Sequence, residues 1–94
     1  MTTALTPRQR QALKGRAHAL EPVVTIGQAG LTPGVLREVD GALAAHELIK
    51  VRVGGDDRAA RASLLDALCA QTGASAVGSV GKILILWRER PADE

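Results

Sequence analysis

Aromatic side chains are all but missing from this chain: Trp87 is the single one, and there is no Phe or Tyr. Modules that stack bases on a sheet, of the RRM or OB kind, need several exposed rings. That class is therefore excluded, and any core must come from Leu, Val, Ile and Ala. Cysteine is equally scarce. Cys69 stands alone, so neither a disulfide-stapled scaffold nor a cysteine-based zinc site fits. Long apolar runs are absent too. The longest, Ile83 to Trp87, falls far short of the ~20 residues of a membrane-spanning helix. Met1 is followed by polar residues and Pro7 rather than an apolar leader. The expectation is a soluble, cytoplasmic protein that makes no use of a membrane.

An excess of charge is also lacking. Twelve Lys and Arg face ten Asp and Glu, a net charge of +2, which by itself names no partner. The distribution is more telling. Within residues 1–20 the charged side chains are Arg8, Arg10, Lys14 and Arg16, and the first acid is Glu21. Such a local patch attracts phosphate even when the total charge is small. With 94 residues, 46% of them apolar, the chain suits one small globular domain over 1–94.

The order of elements follows from caps and periodicity. Thr6-Pro7-Arg8-Gln9 combines a cap, a proline for the first helical position and the glutamine of a capping box. Leu13, Ala17 and Leu20 then share one helical face, and Pro22 is expected to end that helix. Val23 to Ile26 is a short β-branched strand. After Gly27-Gln28-Ala29-Gly30, Thr32 caps a second helix with Pro33 in its first turn, and Leu31 and Leu36 are placed as a hydrophobic staple. Val35, Leu36, Val39, Ala42 and Leu43 form its inner face, with His46 near that face at the end. Leu48 to Val53 alternates, Ile49, Val51 and Val53 to one side, Lys50 and Arg52 to the other. Gly54-Gly55-Asp56-Asp57 turns into a third helix that carries Ala60, Leu64, Leu65 and Leu68 inward and stops at Gly73. Ser75 to Val80 and Ile83 to Arg88 flank Gly81-Lys82, a loop suited to a type II′ hairpin. Residues 89–94 read as a polar, mobile tail. The resulting α-β-α-β-α-β-β order predicts a small α/β sandwich with a mixed four-stranded sheet, parallel where helices separate the strands.

Three stretches carry candidate chemistry. Gly27 to Gly30 joins a strand to a capped helix. Its glycines admit a close ligand, and N–H groups from Gly30, Leu31 and the first helical turn are expected to point outward at a phosphate. KH domains use a GxxG loop to clamp a nucleic-acid backbone; a tight strand-to-helix turn accounts for two glycines equally well. Arg10, Lys14 and His18, four apart, stack along one helix face and can track a phosphate chain, with Arg8 and Arg16 elsewhere around the helix. Lys50 and Arg52 either extend that surface or solubilise it, as do Lys82 and Arg88; for Arg90 solubility is the preferred account. No catalytic constellation appears. His18 and His46 lie in no HxxH or HExxH pattern, Asp56-Asp57 suits a helix start, and Cys69 inside a helix suits a structural thiol. Residues 27–32 lack the Lys-Ser/Thr pair of a P-loop and the third glycine of a dinucleotide turn.

Read in order, Leu5-Thr6-Pro7-Arg8-Gln9-Arg10, Ala17 to Val24, Ile26 to Thr32, Ala45 to Val51 and Val80 to Leu86 resemble the YhbY-like CRM domain, over residues 5 to about 90. The resemblance implies a two-layer fold like the C-terminal domain of translation initiation factor three, with sheet order 1-2-4-3 and an added N-terminal helix. It implies a non-enzymatic, RNA-binding role, since bacterial single-domain members associate with precursors of the large ribosomal subunit and plant organellar relatives act in group II intron splicing. The RNA-binding set it points to is Arg8, Arg10, Lys14, His18, Gly27, Gln28, Ala29, Gly30, Leu31, Thr32, Lys50 and Arg52. Many members carry lysine after the first glycine, where this chain has Gln28; more of the affinity then falls to backbone N–H groups, Arg10 and Lys14. The expected partners are ribosomal RNA or the precursor particle, with ribosomal proteins as further contacts, for a monomer with no cofactor and no metal. The competing reading is a protein-interaction module that docks on a ribosomal protein through the sheet or the third helix.

Overall fold

The computed structural model describes residues 5–89. The expected tail beyond Glu89, Arg90 included, lies outside the described residues. The first helix, α1, spans Pro7–Ala17. Its capping box is complete: Thr6 Oγ1 accepts from Gln9 N–H at 3.1 Å, and Thr6 N–H donates to Gln9 Oε1 at 2.9 Å. The helix ends at Ala17, five residues before Pro22. Its last turn tightens, with His18, Ala19 and Leu20 N–H groups donating to the carbonyls of Gly15, Arg16 and Ala17. Carbonyls three residues back thus replace those four back, and the helix winds down unaided by the proline. Leu20 is carried off the apolar face and remains 38% exposed.

Strand β1, Pro22–Ile26, leads through the glycine turn into α2, Pro33–His46. Thr32 caps α2 through Oγ1, which accepts from Val35 N–H at 3.1 Å. Leu31 and Leu36 flank that cap, both half-buried against the same core, as a staple requires. Val39 and Leu43 are fully buried, whereas His46, at the end of the helix, is exposed. A single residue, Glu47 at φ 65 and ψ −52, reverses the chain into β2, Leu48–Val53. Asp57 caps α3, Arg58–Thr72, by accepting from Ala60 N–H at 3.1 Å, and Gly73 closes that helix in the left-handed region at φ 75. Ala60 belongs to the capped first turn and is exposed, not inward; Leu68 is buried and Leu64 and Leu65 half-buried. The hairpin joins β3, Ser75–Val80, to β4, Ile83–Trp87. Gly81 has φ 58 while Lys82 stays at negative φ, which fits the II′ turn and not I′.

The sheet order is β1-β2-β4-β3. β1 and β2 are parallel, and β4 runs antiparallel to both β2 and β3. β2 and β3 therefore point the same way, as strands separated by a helix should, but β4 lies between them. Helices α2 and α3 cover one face, where Val24, Ile26, Val39, Leu43, Ile49, Val51, Val53, Leu68, Ala74, Leu84 and Leu86 are buried together. The other face receives α1, through Leu13 and Ala17 against Leu48, Val77 and Ile85, with Leu5 and Trp87 alongside. The added helix thus stands opposite the two-layer core. Both edge strands carry a break in register, between Pro22 and Val24 and between Ala76 and Gly78. Such irregularities blunt open edges against further strand pairing.

Arg88 and Lys82 each meet an acid. Arg88 Nη1 lies 2.6 Å from Asp40 Oδ1 and 2.8 Å from the Thr72 carbonyl, while Nη2 donates to the Asp40 carbonyl at 3.1 Å. The guanidinium ties the end of β4 to α2 and satisfies a carbonyl in the last turn of α3. Lys82 Nζ lies 2.9 Å from Asp56 Oδ1. No helix among the described residues is long and apolar enough to cross a membrane.

Candidate nucleic-acid interface

α1 is polar nearly all round; only Leu13 and Ala17 are buried. That leaves Arg8, Arg10, Lys14, Arg16 and His18 exposed. Lys14 bends onto the sheet, where its Cε lies 3.4 Å from the point a Cβ would occupy at Gly78. Gly78 pairs with Ile85, and Ile85 with Lys50, so one cross-strand row runs beneath the helix. Lys50, half-buried, reaches from β2 to the chain leaving α1, and Nζ donates to the Leu20 carbonyl at 3.2 Å. Lys14, His18 and Lys50 thus line one cleft. That convergence follows from the alternation of β2, which places Lys50 and Arg52 on the α1 face.

Arg52 stands one row further along, opposite Thr25 of β1 and Ile83 of β4. Thr25 precedes Gly27 by two residues, so Arg52 shares an end of the sheet with the glycine turn. The loop after β2 is joined there as well, since Gly54 N–H donates to the Ile26 carbonyl at 3.0 Å. Arg8 and Arg10 lie on α1 away from this junction, and the described contacts do not tie them to the loop.

The turn corrects one expectation. Gly30 N–H is not free; it donates to the Gly27 carbonyl at 3.1 Å, closing a four-residue turn with Gln28 and Ala29 at its corners. Thr32 N–H donates to the Gly30 carbonyl at 3.1 Å, Pro33 has no N–H, and Val35 N–H is capped by Thr32. The N–H groups of Gln28, Ala29, Leu31 and Gly34 have no acceptor among the described residues. Successive N–H groups in a turn at a helix N-terminus form a concavity that favours an anion. The Leu31 side chain packs on the core, so that residue offers a ligand its backbone alone.

The two glycines differ. Gly30 has φ 73 and is required by the turn, although a Cβ there would meet nothing within 4 Å. Gly27 has no positive φ, and a Cβ there too would meet nothing within 4 Å. The fold therefore does not demand glycine at position 27.

Cys69 is half-buried, and desolvation, followed by the nearby Asp66 charge, raises its pKa above the ordinary thiol value, away from nucleophile behaviour. Among the described residues no three His, Cys, Asp or Glu side chains come together to hold a metal ion. The sequence reading passes over Val80, Ile83 and Ile85, which line the same cleft as the two lysines. Their alternation across the hairpin is the signal that places them on one face.

Comparison with known proteins agrees in extent and in fold. The sequence profile of the CRS1 / YhbY (CRM) domain matches residues 5–88. A Haemophilus influenzae protein named "RNA-binding protein" is 48% identical over 92 residues, covering 98% of this chain and 91% of its own. The Pseudomonas aeruginosa protein named "Probable RNA-binding protein PA4753" is 44% identical over 88 residues, covering 94% and 85%. The solution structure of SAV1595 from Staphylococcus aureus superposes with a TM-score of 0.85 at 28% identity, over 96% of this chain and 94% of that one.

Proposed function

This chain belongs to the CRS1 / YhbY (CRM) domain family, and from that premise we propose that it is a non-enzymatic RNA-binding protein that engages structured RNA through its phosphates. The observation that carries this reading is the pairing of an exposed turn, whose Gly27 the fold does not require, with an adjoining basic face. A glycine free of structural demand fits a site where another backbone comes close. In this reading Gln28, Ala29, Leu31 and Gly34 offer N–H groups to one phosphate. Arg52 and Lys50 hold the strand end of the path, and Lys14, His18, Arg10 and Arg8 continue it along α1. Gly27, Gly30 and Thr32 shape the turn and the cap that aim those donors.

The finer reading is that the RNA is ribosomal, in precursors of the large subunit, and that the protein works in the cytoplasm as an assembly factor. The family resemblance supports it. Its test is co-sedimentation: the protein travels with large-subunit precursors at low salt after mild crosslinking, and appearance only at the top of the gradient would count against the assembly role. RNA binding has a separate test. Arg10→Ala with Lys14→Ala weakens RNA affinity, and each lost phosphate contact makes the log–log salt slope shallower by roughly 0.7–0.9. Unchanged affinity and slope would move the interface off α1. Docking on a ribosomal protein through an apolar surface predicts little dependence on salt.

A further inference from the structure

Between α1 and the β3–β4 hairpin lies a cleft of about 110 Å³, walled by Val80, Ile83, Ile85 and Ala17 and rimmed by Lys14, His18 and Lys50. Val80 is 57% exposed, although it belongs to the strand row that also holds Ile83 and Arg52. Helix α1 covers the row of Gly78, Ile85 and Lys50 but leaves this next one open. The lysines at the rim are held in place. The Lys14 stem lies on Gly78, and Lys50 spends one Nζ proton on the Leu20 carbonyl. Each ammonium carries three donors, so both retain protons for an anion.

An aliphatic floor ringed by cations suits a flat ring covalently joined to a phosphate. We propose that this cleft seats one unpaired nucleotide of the bound RNA, its base on Val80 and Ile83 with Ile85 beneath them, and its phosphate between Lys14 and Lys50. The proposal rests on the RNA-binding reading above and adds the class of RNA. A base inside a helix has its faces covered by neighbours and cannot reach such a floor, whereas a bulged or single-stranded base can. The cleft has room for one ring. Because the floor is aliphatic, it favours an unpaired base over a paired one without hydrogen-bond readout of its identity.

The test uses three RNA hairpins of one length: fully paired, with a single bulged uridine, and with an abasic residue at the bulge, which keeps every phosphate. Titrated with the full chain at low salt, the uridine bulge binds about fivefold more tightly than the abasic one, a smaller gain than stacking on an aromatic ring gives because the floor is aliphatic. The salt slopes of the two match, because their phosphates are the same. Val80→Thr, which keeps the β-branch a strand favours, narrows that difference. In the parent protein the Val80, Ile83 and Ile85 methyl resonances shift with the uridine bulge and not with the abasic RNA, a readout that stands even if the variant melts early. Equal affinity for uridine and abasic bulges, with salt-dependent binding retained, overturns the cleft and leaves the RNA reading standing. Methyl shifts produced by an acidic, aliphatic peptide but by none of the RNAs would assign the cleft to a protein partner and overturn the proposal. Absence of salt-dependent binding to all three RNAs overturns both readings.

Discussion

The two faces of the sheet are built to different standards. Toward α2 and α3 the described residues bury eleven side chains in one cluster, several of them with no exposed surface. Toward α1 they bury five, and the helix over them is polar on most of its circumference. Apolar burial is the main favourable term in folding, so the first face holds the domain together. The second holds α1 by two side chains and a lysine stem, and its remaining surface is free to carry charge. The domain thus concentrates most of its buried apolar residues on one side and leaves the other largely polar.

The largest test of that contrast is a pair of cavities. Leu43→Ala removes a fully buried side chain beneath α2 and is expected to cost roughly 2–5 kcal/mol, a large part of the ~5–15 kcal/mol typical of a domain. Leu13→Ala opens a site at the margin of α1, 7% exposed, where collapse is easier, so its cost falls near the lower end of that range, about 2 kcal/mol. Urea unfolding of both variants measures the difference. Equal losses would mean that α1 is as integral as α2, and the division of labour between the faces would fail.

A smaller effect sharpens the assignment of the glycine turn to the binding side. Gly30→Asn and Gly30→Asp both place a side chain at φ 73, in open space, and each is expected to cost up to about 1–2 kcal/mol through backbone conformation. The two share that cost, so a difference in RNA affinity between them reports charge at the proposed phosphate seat. Asp is expected to bind more weakly than Asn. Gly27→Ala, where no strain arises, is expected to keep the parent's melting temperature and to lose RNA affinity. Parent-like RNA binding by Gly27→Ala and Gly30→Asp would reduce the loop to a turn.

The smallest effect lies at the hairpin tip, outside both faces. The hydrogen bond and charge of Lys82 hold the Asp56 carboxyl below its ordinary value of 3.8, with Arg61 adding to the lowering. A carboxyl whose pKa is lowered by folding contributes stability above its unfolded value and loses that contribution as pH falls through the folded one. Both partners are exposed, so the contribution is slight. Thermal melts of the parent and Asp56→Asn from pH 6 to pH 2 should converge below the ordinary aspartate range. A gap that persists at pH 2 would show that Asp56 acts through something other than its charge.

Local chemistry made most of the elements legible. Thr6 with Gln9, Thr32 with Pro33, Asp57, Gly73 and Gly81 each act on residues at most four away, and each does what its type and position predict. The alternation of β2 alone puts Lys50 and Arg52 on one face. Interactions across long separations were hidden. That β4 enters between β2 and β3 does not follow from periodicity; it came only with the family resemblance. The end of α1 depends on its last turn and on Lys50, thirty residues from Leu20. Arg88 resembles any other arginine in a basic tail until Asp40 and the end of α3 come into reach. The consumption of the Gly30 N–H by the Gly27 carbonyl was local, but two residues in a turn can be connected in several ways, and composition does not choose among them.

The central place of β4 has a consequence for how the chain is made. β4 is last of the four strands in synthesis, yet it bridges β2 to β3. During translation β1 and β2 can pair around α2, but β3 has no strand to join until Ile83 to Trp87 has left the ribosome. The growing chain therefore presents an incomplete sheet, with Val51 and Ile49 lacking the Leu84 and Leu86 that later border them. Domains generally fold as units, and exposed strand edges invite misassembly. Release of the last strand is the event that commits this chain to its fold. A released chain truncated before Ile83 should remain sensitive to protease, and one that ends after Arg88 should be resistant.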